Sequence, residues 1–136
     1  LTIVLDTNVV VALYDAGDPD HALVADWVAT VDEDLVATPL AVAEMDYLVR
    51  RRGGDVAREA LWHDLASGAY LVRWWADALN ETLRIARRHP SAGLTDASLV
   101  ALAGLLRTRR IATVDQHFRS MTTPGGEPLI LLPDDA

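Results

Sequence analysis

The chain contains no cysteine and no lysine. Without cysteine, disulfide cross-links and thiolate zinc sites are excluded. Without lysine, all twelve basic residues are arginine. No apolar run approaches the length needed to cross a bilayer, so no association with a membrane is expected. A charged leader followed by a cleavage site is also missing from the first residues, and a cytoplasmic location is the default expectation. There is no internal repeat, low-complexity tract or long linker. The first 49 residues carry ten acids and not one basic residue.

What remains is a folding sequence. Its 136 residues are 51% apolar, which suits one domain, 1–136, with one core, and is too much for disorder. A net charge of −8 argues against a protein that coats nucleic acid nonspecifically. The charge is nevertheless segregated: residues 50–119 hold all twelve arginines against seven acids. An acidic centre beside arginine-rich flanks suits a cation site next to a phosphate-binding rim. Arg50-Arg51-Arg52, Arg84-Arg87-Arg88 and Arg107-Arg109-Arg110 could line such a track, or could be solvated surface.

Short apolar strands alternate with helical patterns along the whole chain. Strands are expected at 2–6, 35–37, 70–72, 110–114 and 129–132. Helices are expected at 7–14, 20–31, 38–52, 55–66, 76–88 and 94–106. Thr38-Pro39 is a strong helix start, and Gly53-Gly54 a stop. Wholly apolar strands joined by helical crossovers predict an α/β fold: a three-layer αβα sandwich around a central, mostly parallel five-stranded sheet. Function in such sheets gathers at the C-terminal strand edge.

Four carboxylates fall where that fold collects them. Asp6 ends the first strand and Asp115 follows the fourth, although either could simply cap the next helix. Glu44 has Leu40, Ala41, Tyr47 and Leu48 at three and four positions, so it is expected on an apolar stripe, where a lone charge is costly. Asp46, by contrast, is expected to pair with Arg50 one turn on. Asp96 sits in a first helical turn, where the macrodipole already favours an acid, yet its stripe continues inward as Leu99, Val100 and Ala103. Thr113 shares a strand side with Asp115. Four acids in one cleft raise each other's pKa unless a cation joins them, and an all-oxygen set suits Mg²⁺ or Mn²⁺. The reading is a metal-dependent enzyme acting on phosphate. His117 is set aside as a surface or helix-start histidine. One ring of Trp74-Trp75 is expected to face the core and the other to face outward, with core or dimer contact preferred over base stacking.

These same residues carry a family resemblance. Leu5-Asp6-Thr7-Asn8, Pro39-Leu40-Ala41-Val42-Ala43-Glu44, the segment from Leu94-Thr95-Asp96 to Ala103, and Ala112-Thr113-Val114-Asp115-Gln116-His117-Phe118 resemble, in order, the motifs of PIN-domain ribonucleases, specifically the VapC toxins of bacterial toxin–antitoxin modules. The resemblance implies that Asp6, Glu44, Asp96 and Asp115 form the acidic metal site and that Asn8 and Thr113 support it. It also implies an RNA substrate, a homodimer, and a small cognate VapB-like antitoxin held in a toxin–antitoxin hetero-oligomer.

Hydrolysis by water activated at such a site leaves a 5′-phosphate and a 3′-hydroxyl. Other readings stay open. A PIN nuclease could process RNA without being a toxin, and a PIN-like fold could serve only to bind. A haloacid-dehalogenase-type phosphohydrolase also opens on a strand-end Asp, but this chain has Asn8 where that chemistry needs a second Asp, and it has no lysine.

Overall fold

The computed structural model describes all residues, 1–136. Its elements run β1 (Thr2–Leu5), α1 (Thr7–Tyr14), α2 (His21–Val28), β2 (Asp34–Ala37), α3 (Pro39–Ser67), β3 (Leu71–Val72), α4 (Ala78–Arg88), α5 (Gly93–Leu106), β4 (Arg110–Ala112), a 3₁₀ turn (Gln116–Ser120) and β5 (Ile130–Leu132). The strands form one sheet in the order β3-β2-β1-β4-β5. Every pairing is parallel.

The path of the chain explains the layers. From β1 it moves outward to β2 and then β3; it then returns past β1 to add β4 and β5. Right-handed crossovers place helices on opposite faces when the direction reverses. Accordingly α1 packs on α2 and α3, while α4 packs on α5, which also touches β1. The reversal falls between β1 and β4. That is the point where an open α/β sheet leaves a crevice at its carboxyl edge.

Burial follows the composition of each element. Ile3, Val4 and Leu5 of β1 are wholly inside, as are Ile111 and Ala112 of β4. In α5, every residue from Ala97 to Ala103 is buried; a helix apolar on all sides is one covered on all sides. No helix is long and apolar enough to cross a membrane.

The expected stop at Gly53-Gly54 takes the form of a fold-back. Pro39–Ser67 is two helical halves joined at a kink, where Gly54 adopts φ 79°, ψ −171°, a conformation open to glycine and costly for other residues. Asp46 accepts from the Arg58 guanidinium at 2.9 and 3.0 Å and from the Trp62 indole at 2.6 Å. In a straight helix Asp46 and Arg58 would stand about 18 Å apart, so the two halves of α3 must lie side by side. This corrects the expected Asp46–Arg50 pair: Arg50 turns instead to Asp55. The i+4 rule holds along an uninterrupted helix, and the bend supplies Asp46 with a bidentate partner from across the turn. At the base of the second half, the Tyr14 hydroxyl joins Asp64 and, at 2.8 Å, Tyr70.

The tryptophan pair divides as expected. Trp75 packs on the core and donates to Glu81 at 3.2 Å, while Trp74 stays exposed.

Candidate active site

The crevice at the switch point is a cleft of about 450 Å³, and Asp6, Glu44, Asp96 and Asp115 all line it. Four distant stretches of sequence meet there, as the sequence reading expects.

Asp6 leaves β1 with its amide still bonded to the Ala112 carbonyl at 2.9 Å. One carboxylate oxygen caps α1 by accepting from the Thr7 amide at 2.7 Å. The other accepts from the Thr113 hydroxyl at 2.8 Å. Capping and a place in the cleft are therefore both true of the one side chain. Asp6 is only 4% exposed. Burial, partly offset by the Thr113 hydrogen bond and reinforced by the nearby Asp96 charge, pushes its pKa up to about 6. No arginine or lysine compensates it.

Thr113 is the hub of the supporting polar groups. Besides donating to Asp6, its hydroxyl accepts from the Asp115 amide at 3.0 Å and from the Asn8 amide group at 3.3 Å. The Asn8 carbonyl oxygen in turn accepts from the Val114 amide at 3.2 Å. Asn8 and Thr113 thereby fix the exit of β4 against the start of α1. The resemblance implies supporting positions for both, and the structure places both beside Asp6 and Asp115. The Thr7 hydroxyl, beside them, is buried without a partner.

Asp96 projects from the first turn of α5 and is partly buried. Burial raises its pKa, the bond from His117 lowers it, and the Glu44 and Asp115 charges raise it again; the net shift is upward. Asp115 caps the 3₁₀ turn by accepting from the His117 amide at 3.0 Å. For Asp115 burial is outweighed by hydrogen bonds and charge from His117, and its pKa falls.

Glu44 needs a correction. It is exposed, and the buried positions of this part of α3 are Ala41, Met45 and Val49. The stripe that reaches the core is rotated by one residue from the one Glu44 occupies. Glu44 shares its own face with Leu48 and Arg52, at intervals of four, and that face is the wall of the cleft. Its expected place in one cleft with Asp6 holds. The burial inferred with it does not.

His117 is the residue that sequence reasoning sets aside and the structure brings in. It does begin the 3₁₀ turn, but its ring lies in the cleft between two acids. Nε2 is 2.7 Å from Asp96 and Nδ1 is 2.6 Å from Asp115. Two carboxylates facing both ring nitrogens favour the imidazolium, since only that form donates twice. Burial works against its charge, yet the bonds to Asp115 and Asp96 outweigh it and raise the pKa. The ring stacks on Phe118 with centroids 4.6 Å apart. The only available clue was the spacing Asp115-x-His117 after a strand end, which gives proximity in sequence but no direction.

The donor set fits a hard divalent cation. It is all carboxylate oxygen around a polar cleft, and two of the acids have raised pKa values, Asp6 through burial and the Asp96 charge, Asp96 through burial and the Glu44 and Asp115 charges. No three of these groups stand close enough to close a cage on their own. Mg²⁺ tolerates that, because it keeps several waters and takes few protein ligands.

The protonation pattern gives a pH prediction. Asp6 binds its proton more tightly folded than unfolded, so the metal-free protein loses stability as pH rises from about 4 to about 6, by roughly 3 kcal/mol for this group. Asp96 and His117, also shifted up, act in the same direction. Asp115, shifted down, stabilises above the ordinary carboxylate range and loses that effect only as pH falls below it. Urea midpoints in EDTA should therefore fall between pH 4.5 and 7, and Asp6→Asn should flatten the curve. A midpoint that climbs across this window contradicts the assignment.

Comparison with known proteins agrees with the geometry. Residues 3–123 match the PIN domain family. The chain is 37% identical over 134 residues to Ribonuclease VapC26 of Mycobacterium tuberculosis, covering 96% of this chain and 99% of that protein. Among solved structures it is similar to Mycobacterium tuberculosis VapC20, described as a sarcin–ricin-loop-cleaving toxin, with a TM-score of 0.79, 22% identity, and coverage of 87% and 93% of the two chains. It is also similar to FitAcB from Neisseria gonorrhoeae, with a TM-score of 0.58, 22% identity, and coverage of 84% and 88%. At 22% identity these two bear on the fold, and both accord with the α/β architecture. The family match over most of the chain and the 37% relative together place it: this chain belongs to the PIN-domain family, among the VapC ribonucleases.

Proposed function

We propose that the protein is a Mg²⁺- or Mn²⁺-dependent endoribonuclease, the toxin of a type II toxin–antitoxin module, acting as a homodimer and restrained by a small VapB-like antitoxin. The observation that carries the catalytic part is the convergence of Asp6, Glu44, Asp96 and Asp115 on one cleft with too little positive charge to balance them. The partner and the dimer rest on kinship with the VapC proteins.

Asp6, Asp96, Asp115 and Glu44 are the residues that would hold the cation. When bound, it supplies a more acidic water and positive charge opposite the phosphoryl oxygens. The chain's own residues do the rest. Asp6 is locked by Thr7 and Thr113, so its free lone pairs face the cleft at a fixed angle. Asn8 and Thr113 keep the Asp115 segment in register with it. His117 holds Asp96 and Asp115 within one ring's width of each other and places a proton donor in the cleft. Loops and single strands are the expected RNA targets, because unstacked bases leave the phosphate backbone open to a cleft on a sheet edge.

The test is cleavage of end-labelled RNA by the purified protein with Mg²⁺ or Mn²⁺. Fragments should carry 5′-phosphates and 3′-hydroxyls, and excess EDTA should stop the reaction. Undiminished cutting in EDTA, or 2′,3′-cyclic phosphate ends, would mean a different chemistry.

A further inference from the structure

The cleft has an end that the acids do not occupy. Among its lining residues there is one guanidinium, that of Arg52. The wall of α3 presents Glu44, Leu48 and Arg52 in a line. Arg52 therefore stands about 12 Å along the helix from the acidic end. Between them the surface is apolar, with Leu48 on one side and the exposed Leu94 on the other.

Most of the other arginines considered for a phosphate track are engaged elsewhere, and none of them lines the cleft. Arg50 is paired with Asp55, and Arg51 donates to Tyr47. Arg109 and Arg110 bind Glu127 and Glu33. Arg84 and Arg88 border a separate groove between α4 and α5. Arg52 has only Asp18, at 3.6 Å, and its side chain is 51% exposed. A single long contact in high dielectric holds an arginine weakly. A phosphodiester offering two oxygens to the planar fork competes well with it.

We propose that Arg52 is a phosphate-binding subsite of the cleft. It takes a phosphodiester of the RNA strand away from the bond that is cut, leaving Asp18 to do so, while the intervening nucleoside lies against Leu48 and Leu94. The proposal rests on the ribonuclease reading. It gives an acidic site in a chain of net charge −8 a guanidinium away from the acids that can hold a polyanionic substrate in line.

The test is steady-state cleavage of a short single-stranded RNA in Mg²⁺, with its phosphates replaced one at a time by neutral methylphosphonate. With wild-type protein, replacement of the scissile phosphate should block cleavage, and replacement at one further position should raise KM. Arg52→Ala should raise KM about tenfold, as for the loss of one charge-assisted contact, with kcat within about twofold. It should lose the sensitivity at the further position only, and its salt dependence should be shallower by about 0.7 in log–log slope. Arg52→Lys should fall between, and Arg50→Ala should match the wild type. Asp18→Asn, which frees Arg52 without touching it, should lower KM, and it decides the matter if Arg52→Ala does not fold. Normal cleavage by wild type with an unchanged KM and phosphate profile in Arg52→Ala, or an unchanged KM in Asp18→Asn, overturns the subsite alone. Wild-type protein that cuts no RNA overturns the ribonuclease reading and the subsite with it.

Discussion

Asp6→Asn should reduce RNA cleavage by about two to three orders of magnitude while making the metal-free protein more stable at neutral pH. The two effects have one cause. Asp6 is almost wholly buried, and its charge is opposed by burial and by Asp96. Asparagine has nearly the same shape: its Oδ1 can still accept from the Thr7 amide, and its Nδ2 can donate to the Thr113 hydroxyl oxygen where the carboxylate accepted from it, so the capping and a link to Thr113 survive. What disappears is a buried negative charge. Without a cation that charge is a burden of roughly 3 kcal/mol; with one it is a ligand. Sites that store strain for function commonly gain stability when disarmed. Two measurements together check this: cleavage at saturating Mn²⁺, and the melting temperature in EDTA and in Mn²⁺. The variant should melt higher than wild type in EDTA and gain less from added Mn²⁺. Wild-type cleavage rates in Asp6→Asn would remove Asp6 from the mechanism. Glu44→Gln is the instructive companion. Glu44 is exposed, so its variant should lose activity with little change in stability.

Phe118→Ala should severely destabilise the fold, unlike the changes at the acids. Phe118 is the chain's one phenylalanine, is fully buried, and follows directly on His117 in the 3₁₀ turn. Truncating a buried phenylalanine costs about 3–5 kcal/mol, against a total stability of about 5–15 kcal/mol for a domain of this kind. A fall in melting temperature of about 10 to 20 °C is expected. The ring also forms the surface on which His117 stacks. Cleavage at a temperature where the variant remains folded should therefore still be impaired, through loss of the His117 and Asp115 geometry. Phe118→Leu, which keeps most of the volume, should be milder on both counts. If Phe118→Ala melts within a few degrees of wild type, the packing described here is wrong.

Much of this architecture could be read from the residues. Asp6 and Asp115 were legible only together with Glu44 and Asp96, because each alone could cap the next helix, whereas four acids in this order can meet at one sheet edge. Parallel order followed from strand composition and the helices between. Three things were not legible, each for a physical reason. The burial of Glu44 was misjudged because helical spacing fixes which residues share a face but not which face meets the core; Met45, one residue along, takes the inner place. The partner of Asp46 was missed because a positive φ at Gly54 brings Arg58 closer than the neighbour one turn away. His117 was missed because the direction of its ring is set by Asp96, a residue 21 positions earlier in the chain. Likewise, three arginines in a row at 50–52 look alike in sequence, and only their phase on α3 turns Arg52 alone toward the cleft.

The bond between Thr113 and Asp6 closes a loop of 107 residues. Thr113, just past the end of β4, can reach Asp6 only after β2, β3 and the helices between them and β4 have taken their places. The acidic cleft therefore has no local precursor: no short stretch of the polypeptide can present it, and it comes into being only with the assembled sheet.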